Sequence, residues 1–127
     1  MSLRRLPNTS SIEQIVAVIE EDGGAIIQGF LKPETLDGVR QDLLPLLEAT
    51  PSGVDEFFAG TRTRRLARIF AHTDHMAAVA LNPLYLETAR RLLQTPIKVW
   101  AGEYQAEITP DIQIGATQAI QIHPGQG

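Results

Sequence analysis

Ile112-Gln113-Ile114-Gly115-Ala116-Thr117-Gln118-Ala119-Ile120-Gln121-Ile122-His123 is the stretch from which the fold is read. Side chains alternate across a strand. Ile112, Ile114, Ala116, Gln118, Ile120 and Ile122 therefore share one face, and Gln113, Thr117, Gln121 and His123 the other. One mainly apolar face and one polar face describe a half-exposed strand of an antiparallel sheet. Two shorter strand-like runs precede it, Ile97-Lys98-Val99-Trp100 and Tyr104 to Ile108. Two or three late strands are few for a closed sandwich or barrel, so the sheet is expected to be unfinished at Pro124-Gly125-Gln126-Gly127.

Upstream the period changes to that of helices. Ser10 with Glu13, or Ser11 with Gln14, has capping-box spacing. Ile12, Ile15, Val16 and Ile19 then recur on one helical face, and Gly23-Gly24 stops the helix. Ala25 to Phe30 reads as a short strand. Pro33 opens a second helix with Leu36, Val39, Leu43 and Leu46 or Leu47 as its stripe. Pro45 interrupts that stripe, and an interior proline costs about 3 kcal/mol, so a kink or early end is expected near Leu44.

Thr50 to Gly60 reads as a loop carrying Phe57 and Phe58, and Thr61 to Phe70 as a basic, weakly alternating strand. Thr73 or Asp74 can cap a short helix with Met76, Val79 and Ala80, and Asn82-Pro83 caps another with Leu84, Ala89, Leu92 and Leu93. Helices followed by strands argue an α+β class, the helices laid on one side of an antiparallel sheet. Residues 1–9 are expected to be a disordered tail, 10–95 a mainly helical part with short strands, and 96–127 the first strands of the sheet. The 127 residues form a single domain or the N-terminal fragment of one.

Composition narrows the function classes. The chain has no cysteine, 43% hydrophobic residues and a formal net charge of −4. This excludes a thiolate metal site and a cysteine nucleophile, and an acidic balance gives no general attraction to nucleic acid. No apolar run reaches the roughly 18 residues of a membrane span. Met1 to Pro7 has no apolar stretch typical of a secretion signal. A cytoplasmic protein is expected.

Several pieces, in order, carry a resemblance. They are Glu21-Asp22-Gly23-Gly24-Ala25-Ile26-Ile27-Gln28-Gly29-Phe30-Leu31, Val39-Arg40-Gln41-Asp42-Leu43, Gly60-Thr61-Arg62-Thr63-Arg64-Arg65, Leu81-Asn82-Pro83-Leu84 and Gln121-Ile122-His123-Pro124-Gly125. Together they resemble the phytanoyl-CoA dioxygenase-like family of non-haem Fe(II)/2-oxoglutarate-dependent oxygenases. The resemblance implies a double-stranded β-helix (a jelly roll, cupin-like) that holds ferrous iron through a His-x-Asp pair and a distant His. It also implies oxidation of a C–H bond in a small organic substrate, with 2-oxoglutarate as cosubstrate. In that family the metal motif follows the Gln121 to Gly125 turn, so it falls beyond Gly127. The chain is expected to be inactive alone and to bind neither iron nor cosubstrate by itself.

Each candidate site residue has a competing structural explanation. His72-Thr73-Asp74 is a literal His-x-Asp, but it precedes a helix start and is accounted for by capping. His123 lies in a different segment, and a metal set of His72, Asp74 and His123 is rejected. Arg62, Arg64, Arg65 and Arg68 form the basic cluster; alternation places Arg62, Arg64 and Arg68 on one side. Such arginines protect an edge strand from aggregation or attract an anionic substrate. Thr117, Gln121, Trp100 and Arg64 are the candidates for holding cosubstrate or substrate. The alternative is a non-catalytic domain that binds a small ligand or pairs with a second copy through open sheet edges.

Overall fold

The computed structural model describes residues 3–54 and 60–125. It is α+β, with four helices and six short strands among those residues. They fall into two compact units.

The first unit comprises Met1–Leu31 and Ala80–Gln113. It contains β1 (Arg4–Pro7), α1 (Ile12–Asp22), β2 (Ala25–Gln28), α4 (Pro83–Leu93), β4 (Ile97–Ala101) and β5 (Tyr104–Ile108). Ser11 caps α1 as the sequence indicates: its hydroxyl accepts from Gln14 N–H, and the Gln14 side chain accepts from Ser11 N–H at 3.0 Å. Gly23 ends the helix in the left-handed region (φ 78°), a conformation that costs an L-side chain about 1–2 kcal/mol. Its N–H closes on the Ile19 carbonyl. The Glu13 carboxyl lies below its usual range because its own backbone N–H and the Ser11 hydroxyl donate to it, with Arg91 adding attraction. Ile15, Val16 and Val18 are the buried residues of α1.

Within the tail expected to be disordered over residues 1–9, Arg4–Pro7 is instead a strand. Arg4–Pro7 pairs in parallel with β2, Arg4 opposite Ala25 and Pro7 opposite Gln28. Arg-Arg-Leu-Pro lacks an alternating pattern, and what holds it is tertiary. The Arg4 guanidinium donates to both Asp22 and Glu21 at the end of α1, which raises its already high pKa. β1–β2 is also parallel, against the expectation of a wholly antiparallel sheet. Asn82 caps α4 by accepting from Leu84 N–H at 3.0 Å, and its amide donates to the Phe30 carbonyl. β4 and β5 form a hairpin with Trp100 opposite Gln105, turned by Gly102 at φ +66°.

The second unit comprises Lys32–Val79 and Ile114–Gly127. It contains α2 (Pro33–Ala49), β3 (Thr63–Ala67), a 3-10 turn at Ile69–Ala71, α3 (Met76–Ala80, whose last residue falls in the first unit) and β6 (Gln118–Ile122). α2 runs through Pro45 to Ala49, so of the expected kink or early end near Leu44 the early end does not occur, and Leu47 packs as expected. Pro45 is exposed while Leu43 and Leu47 are buried. The hydrogen bond that proline removes therefore lies on the solvent side of the helix, away from the side chains that anchor it. Thr50 closes the helix, its hydroxyl donating to the Leu46 carbonyl at 2.8 Å.

Gly38 sits inside α2 for a packing reason. A Cβ there would lie 2.2 Å from the His75 imidazole, whose Nε2 is 4.0 Å from Asp42. Among the described residues of this unit, Leu43, Leu47 and Ile69 are buried with Gly60, Thr63 and Thr73.

β3 and β6 pair antiparallel. The long strand expected over Ile112 to His123 is shorter, because Ile112 to Thr117 is irregular. Its faces are also reversed in burial. Ile120 and Ile122 are 48% and 61% exposed, while Ala119 and Gln121 are half-buried. Among the described residues the strands form three two-stranded ladders. The loop residues Phe57 and Phe58 lie outside the described residues.

Candidate functional site

The candidate site stands on the β3–β6 ladder of the second unit. Thr63 pairs with Ile122, Arg64 with Gln121, Arg65 with Ile120, Leu66 with Ala119 and Ala67 with Gln118. Hydrogen bonds extend the register at both ends: His123 N–H donates to Arg62 at 3.1 Å and Arg68 N–H to Thr117 at 2.8 Å. Residues directly opposite in an antiparallel pair project to the same side. The register thus brings together Arg64 and Gln121, two of the sequence candidates, beside Leu66 and Ala119.

Their polar atoms are unusual. Arg64 Nε and Gln121 Oε1 are both buried, and neither has a hydrogen-bond partner. A buried polar group left unpaired costs about 1–3 kcal/mol. The two residues are opposed in the register, one carrying an unpaired guanidinium N–H donor and the other an unpaired carbonyl acceptor. A ligand with an oxygen acceptor for Arg64 and a donor for Gln121 would satisfy both.

The other basic residues behave differently. Arg62 and Arg65 are exposed. Arg68 does not continue the alternation that would align it with Arg62 and Arg64. It takes the left-handed conformation (φ 59°, ψ 42°) and turns the chain into Ile69–Ala71. Thr117 precedes β6 and is half-buried, with its carbonyl engaged by Arg68. Trp100 belongs to the first unit and is 70% exposed on β4, so the four candidates do not share one unit.

His72 follows the 3-10 turn, its N–H donating to Ile69, and is exposed. Thr73 is buried and its hydroxyl accepts from His75 N–H at 3.2 Å, the local role that opens α3. Asp74 is exposed. Among the described residues no three His, Cys, Asp or Glu side chains are grouped so as to hold a metal ion. A three-ligand iron set does not fit the described residues. No described helix is long and apolar enough to cross a membrane.

Sequence reasoning named Arg64 and Gln121 separately but not as partners. Alternation gives the face of each residue, whereas register between strands so far apart in sequence depends on tertiary pairing.

Residues 19–124 match the phytanoyl-CoA dioxygenase (PhyH) family. The dioxygenase swnH2 of Arthroderma benhamiae is 34% identical over 124 residues, covering 97% of this chain and 36% of that protein. The multifunctional dioxygenase prhA of Penicillium brasilianum is 27% identical over 126 residues, covering 98% of this chain and 42% of that protein. The multifunctional dioxygenase ausE of Emericella nidulans is 25% identical over 126 residues, again 42% of its length. The chain thus spans 36–42% of the length of these relatives.

Proposed function

We propose, from the premise that this chain belongs to the phytanoyl-CoA dioxygenase family, that it is the N-terminal part of an Fe(II)/2-oxoglutarate-dependent oxygenase acting on a small organic substrate in the cytoplasm. In such an enzyme, iron and 2-oxoglutarate together activate O₂ for oxidation of a C–H bond. In this proposal the metal-holding residues follow Gly127, and this chain contributes packing helices, the first strands of a jelly roll and part of the ligand-binding face. The match over residues 19–124, set against relatives of more than twice this length, is what carries the reading.

Within that frame, Arg64 and Gln121 are the residues we assign to ligand. Arg64 Nε donates to an oxygen of the cosubstrate or substrate, Gln121 Oε1 accepts from a hydroxyl or N–H of the substrate, and Thr117, just before β6, flanks them. Their unpaired, buried atoms support the assignment. Trp100, on the exposed side of a hairpin, is proposed to line the approach to substrate. The domain boundary is kept as one jelly-roll domain that begins in these residues, with 96–127 among its first strands.

The test is the coding sequence. A His-x-Asp is expected within the next few codons after Gly127, and a further His well downstream. A stop codon directly after Gly127 would overturn the proposal and leave a binding domain in its place.

A further inference from the structure

The chain turns through positive φ with glycine at Gly23, Gly29, Gly60, Gly102 and Gly125. Among the described residues a side chain is carried through that region at one position alone, Arg68 (φ 59°, ψ 42°). There the Cβ of an L-residue crowds the following carbonyl, a cost that glycine escapes. The turn itself is required by the backbone. Arg68 N–H donates to the Thr117 carbonyl at 2.8 Å, and the Arg68 carbonyl accepts from Ala71 N–H at 2.8 Å. Glycine would make both bonds without the crowding. Nothing local calls for the guanidinium. The residue is exposed, so it fills no core. Among the described residues its side chain makes no ion pair or hydrogen bond. Backbone strain that the fold does not need is a mark of functional positions.

We infer that Arg68 binds an oxyanion, the carboxylate or phosphate of a small molecule, at the end of the β3–β6 ladder. A guanidinium presents a fixed fork of N–H donors that meets two oxygens of such a group at once. The bonds to Thr117 and Ala71 hold the root of that fork in place before the anion arrives. Arg64 lies four residues back, about 13 Å along an extended strand, so an anion as small as phosphate reaches Arg68 without touching Arg64. The inference is read from the backbone and charge of Arg68 and stands independently of the proposed oxygenase function.

The test titrates inorganic phosphate and, separately, succinate into the 127-residue chain at fixed ionic strength, followed by the amide resonances of Arg68, Ile69 and Thr117. At least one of the two is expected to saturate with a one-site isotherm. Phosphate alone identifies a phosphate ester as the ligand class, succinate alone a carboxylic acid, and both the shared oxyanion chemistry. Arg68→Gly should weaken that binding about tenfold, the ratio worth one charge-assisted hydrogen bond. The same variant should raise the folding equilibrium constant about threefold in denaturant unfolding, because relief of crowding outweighs the extra entropy that glycine loses. Arg68→Lys, which keeps the charge without the fork, should fall between the two in affinity and leave stability unchanged. The inference fails if neither anion saturates or if Arg68→Gly binds as tightly as the unaltered chain. It fails too if Arg68→Gly unfolds more easily, because the arginine then belongs to the fold.

Discussion

Replacing Arg64 and Gln121 together by leucine is expected to leave the 127-residue chain at least as stable as before, while weakening ligand binding by the whole enzyme about 10- to 100-fold. The two halves of this expectation have separate causes. In the chain, Arg64 Nε and Gln121 Oε1 are buried and unpaired, so each replacement removes a desolvation cost of about 1–3 kcal/mol, offset in part by fitting two leucines on that face. In the enzyme, the same atoms are proposed to hold cosubstrate or substrate, and a hydrogen bond to a charged group contributes about 1.5–3 kcal/mol. Denaturant unfolding of the chain and a binding isotherm on the full protein check the two halves. A double variant that unfolds far more easily would make the pair a structural element. Unchanged affinity would remove these residues from the ligand site.

The second large effect concerns the opposite face of the same ladder, and its sign depends on context. Ile120 and Ile122 project from β6 at 48% and 61% exposure, and Ile114 is 65% exposed. Burying an exposed isoleucine is worth about 1.5–3 kcal/mol. The isolated chain is therefore expected to self-associate, and Ile120→Lys with Ile122→Lys should make it monomeric in sedimentation. In the full enzyme, where later strands are proposed to cover these positions, the same double substitution should destabilise by several kcal/mol, because two ammonium groups would enter an apolar layer. A wild-type chain that sediments as a clean monomer, or a full enzyme indifferent to the two lysines, would contradict this.

Local chemistry made some of the fold legible. The Ser11–Gln14 box, the stop at Gly23 and the Asn82-Pro83 cap depend on residues within a few positions of one another, and each is formed in the structure. The family was also legible, because its features recur in order along the chain and the match covers residues 19–124. Other features were set by partners distant in sequence. Arg4–Pro7 becomes a strand only because β2 and the carboxylates of Glu21 and Asp22 receive it. Pro45 is tolerated because its face of α2 is exposed, which the hydrophobic stripe alone did not weigh against the intrinsic cost of proline.

The candidate site was half legible. Alternation put Gln121 and Thr117 on the polar side of the last strand and marked Arg64 as part of a basic run. It also gave the wrong burial for both faces. In these 127 residues the polar pair is half-buried and the isoleucines stand exposed. Hydrophobicity records what a residue packs against in the whole domain, and on the proposed reading the elements that would cover Ile120 and Ile122 belong to later sequence. The regular alternation through Ile112 to Thr117 likewise overstated β6, since a strand needs a partner and β3 reaches only from Thr63 to Ala67.

Succinate release from 2-oxoglutarate in the presence of ferrous iron and O₂ should be followed for the 127-residue chain beside the polypeptide translated from the complete reading frame. The longer polypeptide is expected to form succinate and the 127-residue chain none. Succinate formed by the 127-residue chain at a comparable rate would show that these residues already hold a working metal centre, and an N-terminal part that depends on later sequence for its chemistry would no longer describe this protein.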